Sequence, residues 1–458
     1  MDVHFFQQGD LCLAYDVNSG SLHVLDTEAY TLVQALEDGM PLGRQADVAA
    51  TQEILAEIAD LREAGLLFSP PIEEQRPVYP SEPLIKAICL HVAHDCNLRC
   101  RYCFAGTGTF GGGRALMDRV TGKKALDFLL FSSGQRNQCE VDFFGGEPLL
   151  NFTLIQELVG YGQEQALRLG KEIKFTLTTN GTLLTPDILS FLEQEEISVV
   201  FSLDGRPEVH DRMRPDHSGR GSYQRVQHNL QKLLAAQYPV SPHATGLYCY
   251  VRGTYTHFNL DFDRDVEHMA ALGIRQVSLE PVVAEPDVAY AFKDGDLQEI
   301  FEAYDRLGER VLALRQRDAG FSFFHFNVAL TQGPCLAKRL SGCGAGHEYA
   351  AISPEGDIYP CHQFVGKEAY QMGSVHNGPP WILDADLLQS FRGAHVYTKA
   401  ACRECWARFL CSGGCHAANV NFTGHLDQVY DLGCQLQRKR LEVALYIQAQ
   451  ETLRDANA

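Results

Sequence analysis

Residues 94–106 read HDCNLRCRYCFAG, a C-x3-C-x2-C run made by Cys96, Cys100 and Cys103. Three thiolates fall one short of a closed four-coordinate site, so the stretch asks what fills the fourth position. Zinc would take a nearby Cys or His, and His94 is the obvious local candidate. A 4Fe-4S cluster on three thiolates instead leaves one iron open to an exogenous chelating group. The run follows LIKAICLHV, the first of several β-rich apolar stretches. It therefore stands where parallel α/β sheets place chemistry, beyond a strand's C-terminal end.

Working outward, VDFF, KFTLTT, ISVVFSLD, LYCYVRGTY and IRQVSLEPVV read as further strands separated by helical patterns. This alternation predicts an α/β fold, a parallel sheet tending to a barrel over 85–295. Ile300, Phe301, Tyr304, Leu307, Val311 and Leu314 repeat at helical spacing over 296–317. That helix starts a bridge, 296–329, to a cysteine-rich third at 330–458. Upstream, SPPIEEQRPVYPSEPL (69–84) has five prolines in sixteen residues and reads as an extended linker.

Residues 1–68 form a separate unit. Leu11, Leu13, Tyr15 and Val17 alternate before Asn18-Ser19-Gly20, a hairpin signal. Ala29, Leu32, Val33 and Leu36 share one helical face, and Ile54, Ile58 and Leu61 another that stops at Gly65. The pattern predicts a winged-helix-like module. Such modules often read DNA, but residues 1–75 hold fourteen Asp/Glu and only Arg44 and Arg62 as cations. With a net charge of -19 over 458 residues, a nucleic-acid partner is excluded. A strand edge on the module can instead take up an extended peptide; a plain packing cap is the alternative.

MDVHFFQQGD lacks a signal-peptide pattern and no apolar run is long enough to span a bilayer, so a cytoplasmic protein without membrane contact is expected. Fifteen cysteines in a reducing compartment point to metal or redox ligation over disulfides. Cys12, Cys89, Cys139 and Cys249 sit alone in apolar or alternating runs and read as small core residues. Three plus eight remain. The eight are Cys335, Cys343 and Cys361 in C-x7-C-x17-C, then Cys402, Cys405, Cys411, Cys415 and Cys434 in C-x2-C-x5-C-x3-C-x18-C. Zinc-ribbon sites and iron–sulfur clusters are both compatible with them.

Beyond the cysteine run, FFGGEP carries Gly145, Gly146, Glu147 and Pro148 after a strand, its glycines allowing close backbone approach to a ligand's ammonium. TTNGT (178–182) and SLDG (202–205) end the next two strands. In this order the motifs resemble the radical S-adenosylmethionine (AdoMet) enzymes. The resemblance implies a partial (β/α)6 TIM barrel in which AdoMet itself is the fourth ligand, through its amino and carboxylate groups. It places the AdoMet amino group at Gly145, Gly146, Glu147 and Pro148, and the ribose and methionyl groups near Thr179, Asn180, Ser202 and Asp204. Arg252 would meet the carboxylate, and Tyr102 the adenine. The C-terminal spacing resembles the SPASM extension of these enzymes, which carries two auxiliary 4Fe-4S clusters. By position Cys335, Cys343, Cys361 and Cys415 would hold one and Cys402, Cys405, Cys411 and Cys434 the other, three clusters in all. Without Cys335 the first auxiliary cluster would keep an iron open to a substrate thiolate.

The match narrows further. GDLCLAYDVNSGSLHVLD, KAICLHVAHDCNLRCRYCFAGTGTFGG, VDFFGGEPLLNF, DRMRPD, SLEPVVAEP, FFHFNVALTQGPCLAKRLSGCGAGHEY and IYPCHQFVG resemble maturases of SCIFF peptides, whose precursors carry six cysteines in forty-five residues. This implies thioether formation of the sactipeptide or ranthipeptide kind: an adenosyl radical removes a hydrogen from an acceptor residue, and a deprotonated cysteine sulfur joins that carbon as the remaining electron passes to an auxiliary cluster. The partners implied are a cysteine-rich precursor peptide, held by its leader at the N-terminal module, and an electron donor such as flavodoxin or ferredoxin. An anaerobic sulfatase-type maturase shares the cysteine pattern without needing that module. A non-enzymatic metal-binding protein would share the cysteines but not GGEP or Arg252.

Overall fold

The computed structural model describes residues 2–39, 48–71, 79–80, 84–236, 249–330 and 336–456. Strands β1 (Val3–Gln8), β2 (Leu11–Asp16) and β3 (Leu22–Leu25) form an antiparallel sheet in that order; β2 and β3 are the hairpin that the alternation predicts, and β1 is a further strand beside it. Helices Thr27–Glu37 and Val48–Glu63 complete the module and supply the expected faces, with Leu32, Val33 and Ile58 buried.

The second sheet is built from β4 (Ala87–His94), β5 (Ala115–Leu116), β6 (Gln138–Gly145), β7 (Glu172–Thr179), β8 (Ser198–Ser202), β9 (Cys249–Tyr255), β10 (Gln276–Pro281), β11 (Ser322–Phe323), β12 (Tyr349–Ile352), β13 (Asp357–Tyr359) and β14 (Gly373–Ser374). Its order is β11-β10-β9-β8-β7-β6-β4-β12-β13-β14, with β5 on the end of β4. The six parallel strands β4, β6, β7, β8, β9 and β10 are the expected partial barrel. Every residue of β4 is buried, as befits a central parallel strand covered on both faces. In β6 and β7 alternate residues are buried, the period-2 signature by which the sequence announces them.

The C-terminal third is no separate body. β12 pairs in parallel with the outer edge of β4, Tyr349 opposite Ala87 and Ile352 opposite Leu90, so it continues the barrel sheet. The bridging helix is Asp296–Arg317, and it packs against the C-terminal helix Asp431–Ala456. A Cβ at Gly308 would stand 2.7 Å from Val443, so glycine permits the close crossing. Of the expected linker, 72–78 and 81–83 lie outside the described residues; Tyr79 packs edge-on against His347 of the C-terminal third. Cys89 and Cys139 are buried and Cys12 and Cys249 partly so, in keeping with a core role. Among the described residues no helix is long and apolar enough to cross a membrane.

The N-terminal module is seated on the C-terminal third, which its sequence gives no means of foreseeing. His4 stacks on Trp406 with ring centroids 3.9 Å apart and pairs with Glu442 at 3.0 Å. Arg408 donates to Asn18 Oδ1 at 3.1 Å, and Gln450 to Asp10 at 3.2 Å.

Asp16 ties the module together. It is fully buried; its Oδ1 accepts from Asn18 N, Ser19 N and Ser19 Oγ at 3.2, 2.8 and 2.9 Å, and its Oδ2 from Ser69 N at 3.0 Å. One carboxylate thus closes the β2–β3 turn and fastens the start of the linker. Asp16→Ala strands these donors and should cost about 2–4 kcal/mol of local stability. The measurement is hydrogen exchange: amides at 18, 19 and 69 should lose protection, and unchanged protection there would refute the role.

Candidate active site

The cysteine run leaves the C-terminal end of β4 and is held by two neighbours. On one side the segment 213–216 pairs with it: Arg99 N donates to Pro215 O at 2.8 Å and Arg101 N to Met213 O at 2.9 Å. On the other, the end of β6 presses in, with Gly146 N donating to Ala93 O and Glu147 N to Asp95 O, both at 2.8 Å. A Cβ on Gly145 would lie 2.1 Å from Ala93 O, and one on Gly146 2.1 Å from Asp95 O. The paired glycines therefore first serve to let this strand end meet the cysteine loop, while their open side borders the cavity.

That cavity encloses about 800 Å³. Of the residues expected at AdoMet, Tyr102, Gly145, Gly146, Thr179, Asn180, Ser202 and Arg252 line it, with Cys96, Cys100 and Cys103. Glu147, Pro148 and Asp204 do not; they stand behind the wall. Asp204 is fully buried, accepts from Tyr102 Oη at 2.6 Å and Thr254 N at 3.1 Å, and pairs with Arg214 at 3.4 Å. It fixes the tyrosine and the arginine, which in turn face the cavity. Glu147 is likewise buried and accepts from Thr179 Oγ1 at 2.7 Å and Asn180 N at 2.8 Å, holding the end of β7. The glycine-rich stretch 106–113 is anchored by Phe110, which is 7% exposed and packs on His91 and His94.

Thiols of the C-terminal third, Cys411, Cys415 and Cys434, line the same cavity. Seven of the eight C-terminal cysteines lie among the described residues, and they neighbour one another electrostatically. Burial raises the thiol pKa of Cys343 and Cys361, and Cys415 adds to the rise in both; burial likewise raises that of Cys434, and Cys411, Cys402 and Cys405 add to it. Cys335 lies outside the described residues.

The donor chemistry fits iron–sulfur ligation. Burial pushes the Cys96 thiol up to about 12 and that of Cys100 to about 11, with Cys361 and Cys434 also at about 12. Such thiols stay protonated at neutral pH unless a metal deprotonates them. Among the described residues no three Cys, His, Asp or Glu converge closely enough to hold a single metal ion. For AdoMet, Arg214 and Arg252 offer cations to a carboxylate, and the Gly145–Gly146 backbone and the Thr179, Asn180 and Ser202 side chains offer polar partners.

Four residues complete the wall that sequence reading did not single out: Arg214, Glu280, His325 and Arg440. Glu280 meets His325 at 3.2 Å, Arg440 at 3.5 Å and Arg252 at 3.7 Å. Burial would raise its carboxyl pKa, but these three groups outweigh that and hold it well below the ordinary range. The carboxylate joins the end of β10 to the C-terminal helix that carries Cys434. Arg214, Glu280 and His325 lie within DRMRPD, SLEPVVAEP and FFHFNVAL; only three-dimensional convergence gives them a role.

Glu147 makes the site pH-sensitive. Burial, only partly offset by the Asn180 amide and the Thr179 hydroxyl, raises its carboxyl pKa from 4.5 to about 7. The folded protein then holds that proton more tightly than the unfolded chain. Its contribution to stability is full below pH ~4.5 and falls by about 3 kcal/mol as pH rises to ~7. Glu147→Gln should therefore shrink the drop in melting temperature between pH 5 and pH 8. An undiminished drop would show that Glu147 is ionised throughout.

Comparison with known proteins agrees with this geometry. Residues 90–255 match the radical SAM superfamily and residues 343–406 the SPASM iron-sulfur cluster-binding domain. The uncharacterized protein MJ0907 of Methanocaldococcus jannaschii is 30% identical over 197 residues, 43% of this chain and 62% of that protein, so the chain spans under two thirds of its length. Mycofactocin maturase MftC of Mycobacterium tuberculosis is 31% identical over 74% of this chain and 80% of its own. The cysteine-type anaerobic sulfatase-maturating enzyme of Clostridium novyi is 24% identical over 70% and 85%. Among solved structures, Streptococcus suis SuiB bound to S-adenosylmethionine superposes over 95% of this chain and 99% of its own, with TM-score 0.54 at 17% identity, a likeness of fold. The cofactors of this fold are 4Fe-4S clusters and AdoMet, and the chain belongs to the radical SAM superfamily, with a C-terminal SPASM domain.

Proposed function

We propose that this chain is a peptide maturase that forms thioether crosslinks, joining cysteine sulfur to carbon in a cysteine-rich, SCIFF-like precursor. The observation that carries the reading is that one cavity is lined both by Cys96, Cys100 and Cys103 and by Cys411, Cys415 and Cys434. A peptide segment lying in it meets both the AdoMet site and the auxiliary sites. When bound and reduced, the first cluster and AdoMet supply a 5'-deoxyadenosyl radical able to remove a hydrogen atom.

The chain's own residues bind and orient. Cys96, Cys100 and Cys103 would hold the AdoMet cluster; Cys343, Cys361 and Cys415, with Cys335, one auxiliary cluster; and Cys402, Cys405, Cys411 and Cys434 the other. Gly145, Gly146, Thr179, Asn180, Ser202, Arg214 and Arg252 would hold AdoMet, while Asp204 and Glu147 fix that wall from behind. Tyr102 is kept in place by its bond to Asp204 and by Arg214, which donates to its hydroxyl at 3.1 Å. The precursor's leader would add to an edge of the β1–β3 sheet, the strand-addition mode of peptide capture. A flavodoxin or ferredoxin in the reducing cytoplasm would supply electrons.

The similarity to the Clostridium novyi enzyme favours a second reading, oxidation of a cysteine to formylglycine on a sulfatase. The N-terminal module, closely packed on the C-terminal third, favours the first, since a leader-binding element has no task in that reaction. Product mass separates them. Anaerobic incubation of the enzyme with AdoMet, reductant and a cysteine-rich peptide encoded beside its gene should remove two hydrogens per crosslink and one alkylatable cysteine. A peptide left unchanged while 5'-deoxyadenosine accumulates would refute this substrate.

A further inference from the structure

Lys399 is a buried cation with no exposed surface, in the heart of the C-terminal third. Its Nζ donates to Gly413 O at 2.7 Å, an acceptor shared with Asn419 Nδ2 at 3.3 Å. Gly413 is the middle of Ser412-Gly413-Gly414, the whole link between Cys411 of one cysteine set and Cys415 of the other. All three link residues are left-handed, with φ of +62°, +84° and +76°. For Ser412 that conformation is strained, so the surroundings must hold it, and Lys399 grips the link at its centre.

Burying an ammonium is costly unless an anion accompanies it. Among the described residues no carboxylate lies within ion-pair distance of Lys399; burial lowers the pKa of its ammonium, and the groups that oppose this are Cys402, Cys411, Cys415 and Cys434. Both cysteine sets therefore face the same cation. As ligands of iron–sulfur clusters these thiolates carry negative charge permanently, and one further electron on either cluster adds more.

We propose that Lys399 is the shared counter-cation of the two auxiliary clusters, holding the Cys411–Cys415 link and raising the reduction potential of both. The proposal rests on the cluster reading of these cysteines. A nearby cation favours the more negatively charged, reduced form of a cluster, so its removal lowers the midpoint. With one charge acting on both sites, the two auxiliary potentials move together, which suits a pair that passes on a single electron.

The test is a dithionite potentiometric titration, followed by electron paramagnetic resonance, of full-length iron-loaded enzyme and two variants. Lys399→Gln keeps a hydrogen-bond donor without charge; Lys399→Met keeps the length without either. The expected result is unchanged iron content, both auxiliary midpoints shifted to more negative values in both variants, and an unmoved midpoint for the cluster that responds to AdoMet. Parent midpoints in both variants would overturn the proposal, as would parent midpoints in Lys399→Gln alone, which would reduce the lysine to a hydrogen-bonding peg. Loss of auxiliary iron from both variants would assign it to the scaffold and also contradict it. Absence of iron from the parent enzyme would overturn the cluster reading itself.

Discussion

The parallel ladder between β4 and β12 is the constraint on which the arrangement depends. β4 delivers the Cys96–Cys103 loop from its C-terminal end and pairs with β6 on one edge and β12 on the other. β12 leads through β13 to Cys361. One fully buried strand thus fixes an AdoMet-site loop and a C-terminal ligand in a common frame. Parallel pairing buried on both faces is rigid, and rigidity is needed where separate cysteine sets must border one cavity.

Charge is organised by the same economy. The molecule is acidic overall, yet Arg214, Arg252 and Arg440 converge on the cavity, and Lys399 lies buried behind its far wall. Each cation has a nearby anion that explains it: Asp204 for Arg214, Glu280 for Arg252 and Arg440, and the cysteine sets for Lys399. A surface rich in carboxylates keeps polyanions away, while the interior is prepared for thiolates and for the carboxylate of an amino-acid cosubstrate.

Local pattern made much of this legible. Period-2 burial identifies β6 and β7, and the C-x3-C-x2-C spacing with GGEP, TTNGT and SLDG marks the strand ends that meet at the cavity. What stayed hidden depends on contacts between distant segments. Asp204 looks like a ligand residue in SLDG but is spent on Tyr102 and Arg214. Glu280 gains its role only when His325 and Arg440, 45 and 160 positions further on, arrive beside it. The seating of His4 on Trp406 joins the two ends of the chain, and no composition or periodicity encodes such a pairing.

The central claim is that three iron–sulfur sites surround one cavity, one for each cysteine set. The most direct measurement is iron-edge anomalous diffraction from crystals of anaerobically prepared enzyme. Three iron centres are expected: one at Cys96, Cys100 and Cys103, one at Cys343, Cys361 and Cys415, and one at Cys402, Cys405, Cys411 and Cys434. Scattering at the zinc edge instead, or Cys415 bound to the same centre as Cys402 and Cys405, would contradict it.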